Sequence, residues 1–169
     1  KTGKQQSFKM SDNSMFTPTQ NQDKEVNNYA EEFRKIKKAS ETDVMELSSA
    51  LAELEKGSQL GSKLAVMRLV KQVEQRLSDR DRDYYANEIS MLNRLGVSID
   101  QTIGNTLNPR LVAEAKAMIK NSIAKLNEYS NKKAIDYAKS LKSKNIPVEY
   151  SMSIMHPELY EKAKSKVSK

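Results

Sequence analysis

The sequence has no cysteine and no tryptophan, one histidine, five glycines and four prolines in 169 residues. Without cysteine there is no disulfide framework, no thiolate metal site and no cysteine nucleophile. Glycine and proline are too few for a strand-rich fold that must turn roughly every ten residues. The longest apolar runs, such as Leu64 to Met67, fall far short of the roughly 20 residues that cross a bilayer. No membrane span is expected. The chain opens on Lys1 with no signal-peptide pattern, which reads as a processed product or as part of something longer.

Charge is what the chain has in quantity: 29 Lys and Arg against 22 Asp and Glu, net +7. Residues 1–24 carry +2, residues 25–130 are balanced at 16 basic and 16 acidic groups, and residues 131–169 carry +5. The surplus therefore sits at the two ends, chiefly the C-terminal one. Such an asymmetry points to a partner of negative charge, or to a Lys-rich tail that is merely solvated.

Residues 1–24 are dominated by Gln, Asn, Ser, Thr and Lys, and their apolar residues keep no period. Alone, this segment has too little apolar surface to offset the entropy of ordering. It is expected to be a flexible or partner-bound arm, with Phe8, Met10, Met15 and Phe16 as its anchors on another chain. An arm folded back on its own domain is the alternative.

From residue 25 the pattern is helical. Val26, Tyr29, Ala30, Phe33 and Ile36 recur at three- and four-residue steps, predicting a helix over 23–38. Ser40-Glu41-Thr42-Asp43 has the form of a capping box for a second helix carrying Val44, Leu47, Leu51 and Leu54 and stopped by Gly57. A third helix over 59–77 shows Leu60, Leu64, Met67, Val70, Val73 and Leu77 on one face. Ser78-Asp79-Arg80-Asp81 is a further capping signal, for a helix through Ile89, Leu92 and Leu95 closed by Gly96. Asn108-Pro109, as N-cap and first helical residue, opens the strongest helix, over about 109–129; the period continues to about residue 144, with or without an interruption at Asn131. Pro147 should end helix and leave residues 146–155 extended, before a short helix after His156-Pro157. The fold expected is all-α, a multi-helix bundle of about five amphipathic helices with an extended N-terminal arm and a basic C-terminal tail. The divisions expected are an arm over 1–24, a helical domain over 25–145, and an extended segment with a short basic helix over 146–169. Leu51, Leu64, Val70, Ile89, Leu92, Met118, Ile119 and Leu126 are the predicted core.

Catalytic chemistry finds little here. The single histidine, His156, precedes Pro157 with no neighbouring Asp to orient it, and reads as part of a helix cap. No nucleophile elbow, P-loop or dinucleotide-binding glycine pattern occurs. Glu31-Glu32, Glu53/Glu55 and Asp79/Asp81/Asp83 are the acidic candidates for paired-carboxylate chemistry. In Asp79-Arg80-Asp81-Arg82-Asp83 each carboxylate neighbours a guanidinium, as at a charged helix start. No enzyme activity, metal or cofactor is expected. The remaining signal is the lysines of the C-terminal region: Lys132, Lys133, Lys139, Lys142, Lys144, Lys162, Lys164 and Lys166. They are candidates for contacts with phosphates or with an acidic partner. No Arg lies beyond Arg110, so any nucleic-acid contact would be to the backbone and non-specific.

Arg76-Leu77-Ser78-Asp79-Arg80-Asp81 after one amphipathic helix, and Asn108-Pro109 opening another with Ala113, Ala115, Ile119, Ile123 and Leu126, resemble helical modules in virion proteins of tailed phages. These are the internal, ejection-associated and tape-measure-like chains. The resemblance covers residues 60–128 and implies no catalytic residue. It implies a structural protein, in a virion or the cytoplasm, that binds other subunits, in many copies, within a large assembly. The alternatives are a non-specific nucleic-acid-binding helical module and a component of a secretion or conjugation apparatus.

Overall fold

The computed structural model describes residues 6–56, 60–102, 104 and 107–167, and 80% of them are helical. The order is β1 (Phe8–Lys9), β2 (Met15–Phe16), α1 (Gln20–Glu55), α2 (Leu60–Arg80), α3 (Ala86–Asp100), α4 (Pro109–Lys142), α5 (Val148–Met155) and α6 (Pro157–Val167). The fold is all-α, a multi-helix bundle. The chain forms two compact units: unit 1 comprises Lys1–Lys38 and Glu128–Lys169, and unit 2 comprises Ala39–Asn127. The expected divisions at residues 24 and 145 both fall inside unit 1. The N-terminal segment and the C-terminal helices share one hydrophobic cluster there with α1 and α4, so neither is a separate arm or tail.

α1 starts before its apolar period does. Thr19 and Gln22 form a reciprocal capping box: Gln22 N–H donates to Thr19 Oγ1 at 3.2 Å, and Thr19 N–H donates to Gln22 Oε1 at 2.9 Å. Two donors left over at the helix N-terminus are thereby satisfied. The break expected at Ser40–Asp43 does not occur. Asp43 is 0% exposed, and its carboxylate accepts from Arg76 Nε at 2.8 Å and from Arg80. A charge-assisted pair with two guanidiniums outcompetes a cap. The expected stop at Gly57 lies outside the described residues.

In unit 2, α2 and α3 pack together as a helical hairpin. Ser78 Oγ bonds back to Glu74 O at 3.0 Å, so Ser78 and Asp79 belong to the last turn of α2 and cap nothing. The chain turns over Asp81–Tyr85, and α3 continues through Gly96 to Asp100. Gly96 is buried beside the Lys71 stem rather than ending the helix. Lys63 Nζ donates to Thr102 O at 2.7 Å just beyond α3. Of the predicted core, Val70, Leu92, Ile119 and Leu126 are fully buried, and Leu51, Ile89 and Met118 are half-buried. Leu64 is 52% exposed. The buried stripe of α2 is Val66, Val70, Val73 and Leu77, and a residue two positions away points roughly 200° around the helix. Asn108 caps α4 as expected, its Oδ1 accepting from Leu111 N–H at 2.8 Å.

Unit 1 is built on Val26, Ala30 and Phe33 of α1, Ala134, Ala138 and Leu141 of α4, and Ile146, Tyr150, Met152 and Met155. α4 ends in a Schellman motif. Asn145 takes a left-handed φ of 63°, its N–H bonds to Lys142 O at 3.1 Å, and Ile146 N–H bonds to Leu141 O at 3.3 Å. Residues 148–155, expected to be extended, are instead helix α5. Pro147 stands at its N-cap with φ −59°, where the missing N–H costs nothing.

Phe33→Ala should cost about 3–5 kcal/mol, because a fully enclosed ring is deleted. Leu64→Ala should cost about 0.5 kcal/mol or less. The Arg76→Ala, Arg80→Ala double variant, which strands a buried carboxylate, should lose about 3 kcal/mol. Urea unfolding followed by circular dichroism checks all three.

Candidate functional site

The residues expected to reach a neighbouring chain are partly used inside unit 1. β1 and β2 pair antiparallel with Phe8 opposite Phe16. The tight turn between them relies on Asn13 at φ 69° and on Asp12 Oδ1 accepting from Ser14 N–H at 2.9 Å. Phe8 and Phe16 lie on Tyr150 of α5, with ring centroids 5.5 and 5.1 Å apart, and Phe8 also approaches Tyr160 of α6 at 6.2 Å. Ser11 N–H donates to Glu149 Oε2 at 3.1 Å, and its hydroxyl donates to Glu149 Oε1. Tyr150 in turn donates to Asp23 Oδ1 at 2.7 Å, and burial together with that carboxylate raises the phenol pKa above its ordinary range. The segment is thus a hairpin docked on its own unit, held by aromatic contact and by the Ser11–Glu149 hydrogen bonds. Met10 is half-buried and Met15 is exposed.

Next to this hairpin lies a groove of about 520 Å³. Its apolar lining comes from three helices: Ile135 of α4, Val148 and Met152 of α5, and Leu159, Tyr160 and Ala163 of α6. Ile135 is 39% exposed, although its neighbours Ala134 and Ala138 are in the core. Ser11, Glu149 and Lys164 are the polar members of the lining. Ser11 and Glu149 bond to each other, and Lys164 Nζ lies over the Tyr160 ring at 5.8 Å.

The candidate lysines are distributed around unit 1 rather than gathered at one point. Lys132, Lys139 and Lys142 stand three before, four after and seven after Ile135 on the exposed side of α4. Lys132 pairs with Asp136 at 2.9 Å, which holds that carboxyl below the usual range. Lys133 faces the Tyr129 ring at 5.5 Å. Lys144 pairs with Glu25 at 2.7 Å, and its pKa is raised by that carboxylate. Lys162, Lys164 and Lys166 are exposed on α6. Counted by unit, unit 1 carries 17 basic and 10 acidic residues and unit 2 carries 12 of each, so the whole surplus of +7 belongs to unit 1.

His156 is placed as a structural group. Its Nδ1 accepts from Leu159 N–H at 3.4 Å, at the start of α6. Its Nε2 is 3.0 Å from Asn131 Oδ1, which assigns the proton to Nε2. Phe33 covers the ring at 5.4 Å. Burial first, and Lys37 after it, hold its pKa below the ordinary histidine value. Among the described residues no group of three or more His, Asp or Glu is arranged to hold a metal ion, and no helix is long and apolar enough to cross a membrane.

The groove was not visible in the sequence, because reading residues 146–155 as extended hid the helical period of Val148, Met152 and Met155. No family model, curated protein or solved structure matches the chain.

The neutral native imidazole sets a pH dependence. The unfolded chain takes up a proton on His156 more readily than the folded one, so unit 1 should lose stability as pH falls from about 7 to about 5. His156→Gln should flatten that part of the slope. Urea midpoints measured across the window check the sign.

Proposed function

We propose that this chain is a non-enzymatic helical assembly protein, working through protein–protein contacts in a large complex. The setting we propose for that complex is a virion. The observation that carries the reading is the apolar groove of unit 1, with Ile135 exposed beside core residues of the same helix. Apolar surface held open between three helices is the usual form of a contact site for another protein. The one histidine supports the same reading, since both its nitrogens are occupied in holding α6 and Asn131. The virion setting rests on the resemblance over residues 60–128, of which the Asn108–Pro109 helix start adopts the capping geometry described above.

The surplus of +7 in unit 1 favours a second reading, non-specific binding of nucleic acid through Lys139, Lys142, Lys162 and Lys166. One experiment separates the two. The tagged chain, recovered from the cells or particles that make it, should sediment in an assembly much larger than itself and stay there after nuclease treatment. Sedimentation as a single chain would overturn the assembly reading, and release by nuclease would favour the nucleic-acid one.

A further inference from the structure

We propose that the unit 1 groove takes an acidic amphipathic helix of a partner protein, with apolar side chains on Ile135, Met152 and Leu159 and carboxylates toward Lys139, Lys142 and Lys164. The inference rests on the assembly reading above and names the chemistry of the partner. Its first support is charge. Unit 1 holds the entire surplus of the chain, while unit 2 is balanced. A second copy offering unit 2 would therefore bring no net opposite charge, and one offering unit 1 would bring repulsion. An acidic segment of another protein meets this surplus with opposite charge.

The second support is the groove's composition. Glu149, the one carboxylate in the lining, is already bonded to Ser11. Of the other carboxylates nearby, Asp136 pairs with Lys132 and Glu158 with Lys37, leaving Glu161 as an exposed acid on α6. The electrostatic character of the site is set by Lys164 in the lining and by Lys139 and Lys142 beside Ile135. Phosphates alone would leave the apolar lining wet, because a nucleic-acid backbone has nothing to bury there. An amphipathic helix uses both features together: side chains at i, i+3, i+4 and i+7 fill the lining, and acids on its flanks meet the lysines. The volume of about 520 Å³ accommodates such side chains from one face of a helix.

The test uses the full chain and a labelled peptide of roughly 15 residues, with Leu at i, i+3, i+4 and i+7 and Glu on its flanks. Its controls carry Lys in place of Glu, or the same residues scrambled. Fluorescence anisotropy at about 50 mM salt should show micromolar binding of the Glu peptide and none of either control. Ile135→Glu, at an exposed position, should weaken binding at least about tenfold with helical content unchanged. The triple variant Lys139→Gln, Lys142→Gln, Lys164→Gln should weaken it and flatten its salt dependence. Failure of the Glu peptide to bind, equal binding of the scrambled peptide, or indifference to Ile135→Glu would overturn the proposal. So would duplex DNA or anionic vesicles that bind more tightly than the peptide and displace it. A nuclease-resistant assembly together with any of these results would leave the assembly reading standing and remove this partner.

Discussion

The left-handed turn at Asn145, with Pro147 two residues on, stops α4 and sends the chain into α5, and the groove of unit 1 depends on that reversal. Had α4 run further, Tyr150 would not meet Phe8, Phe16 and Asp23. The hairpin would then lose its seat, and Val148 and Met152 would no longer line anything. Asparagine tolerates the left-handed region because its short polar side chain costs less there than a branched one. Ile146, just past the turn, is 1% exposed and joins the same cluster as Leu141, which adds the apolar contact that usually accompanies such a helix end. A local backbone choice at one residue is thus coupled to the packing of three helices and a hairpin.

The two units handle charge in different ways. Unit 2 encloses Asp43 completely and neutralises it with Arg76 and Arg80, while Glu46 also bonds Arg76. Buried carboxylates of this kind contribute little net stability against an apolar equivalent, yet removing their partners is costly. These pairs join α1 to α2 within unit 2. Unit 1 has its ion pairs outside: Lys132 with Asp136 and Lys144 with Glu25 are solvated, and such pairs contribute little. Its excess lysines stay in water. Unit 2 thus encloses one charge cluster and keeps its other pairs, Lys56 with Glu53 and Arg110 with Glu114, at the surface, while unit 1 carries the chain's surplus of positive charge.

The helical fold was legible because apolar residues at three- and four-residue spacing are a direct image of a buried helical face, as in Val70, Val73 and Leu77. What misled was the punctuation. Ser40–Asp43 and Ser78–Asp81 have the composition of caps, but in the first case the acid has a buried guanidinium partner, and in the second the serine bonds back to Glu74. Sequence shows the capacity of Asp to cap and cannot show the competing partner about 30 residues away. The true start of α1, Thr19-Gln20-Asn21-Gln22, carries the capping-box spacing in plain form, but no apolar period accompanies it. Residues 6–19 failed for a related reason. Their four apolar anchors are too few to order the segment alone, and Tyr150 and Tyr160, which complete the cluster, lie more than 130 positions along the chain.

For a groove of this composition, the two kinds of surface act at different stages of one encounter. Solvated lysines act over about a Debye length, roughly 8–10 Å at ordinary ionic strength, so under the proposed reading they would raise the frequency of approach by an acidic segment and align it. They add little once contact is made, because exposed pairs are screened. The apolar lining acts only on contact, through surface removed from water, and would therefore govern how long the proposed partner stays. Ile135 is the position where the two meet. It stands between Lys132 and Lys139 on α4 and faces the groove, so a charge placed there would oppose residence while leaving the approach largely intact. Under the proposed reading, the position that would separate arrival from retention is one isoleucine, 39% exposed, among lysines.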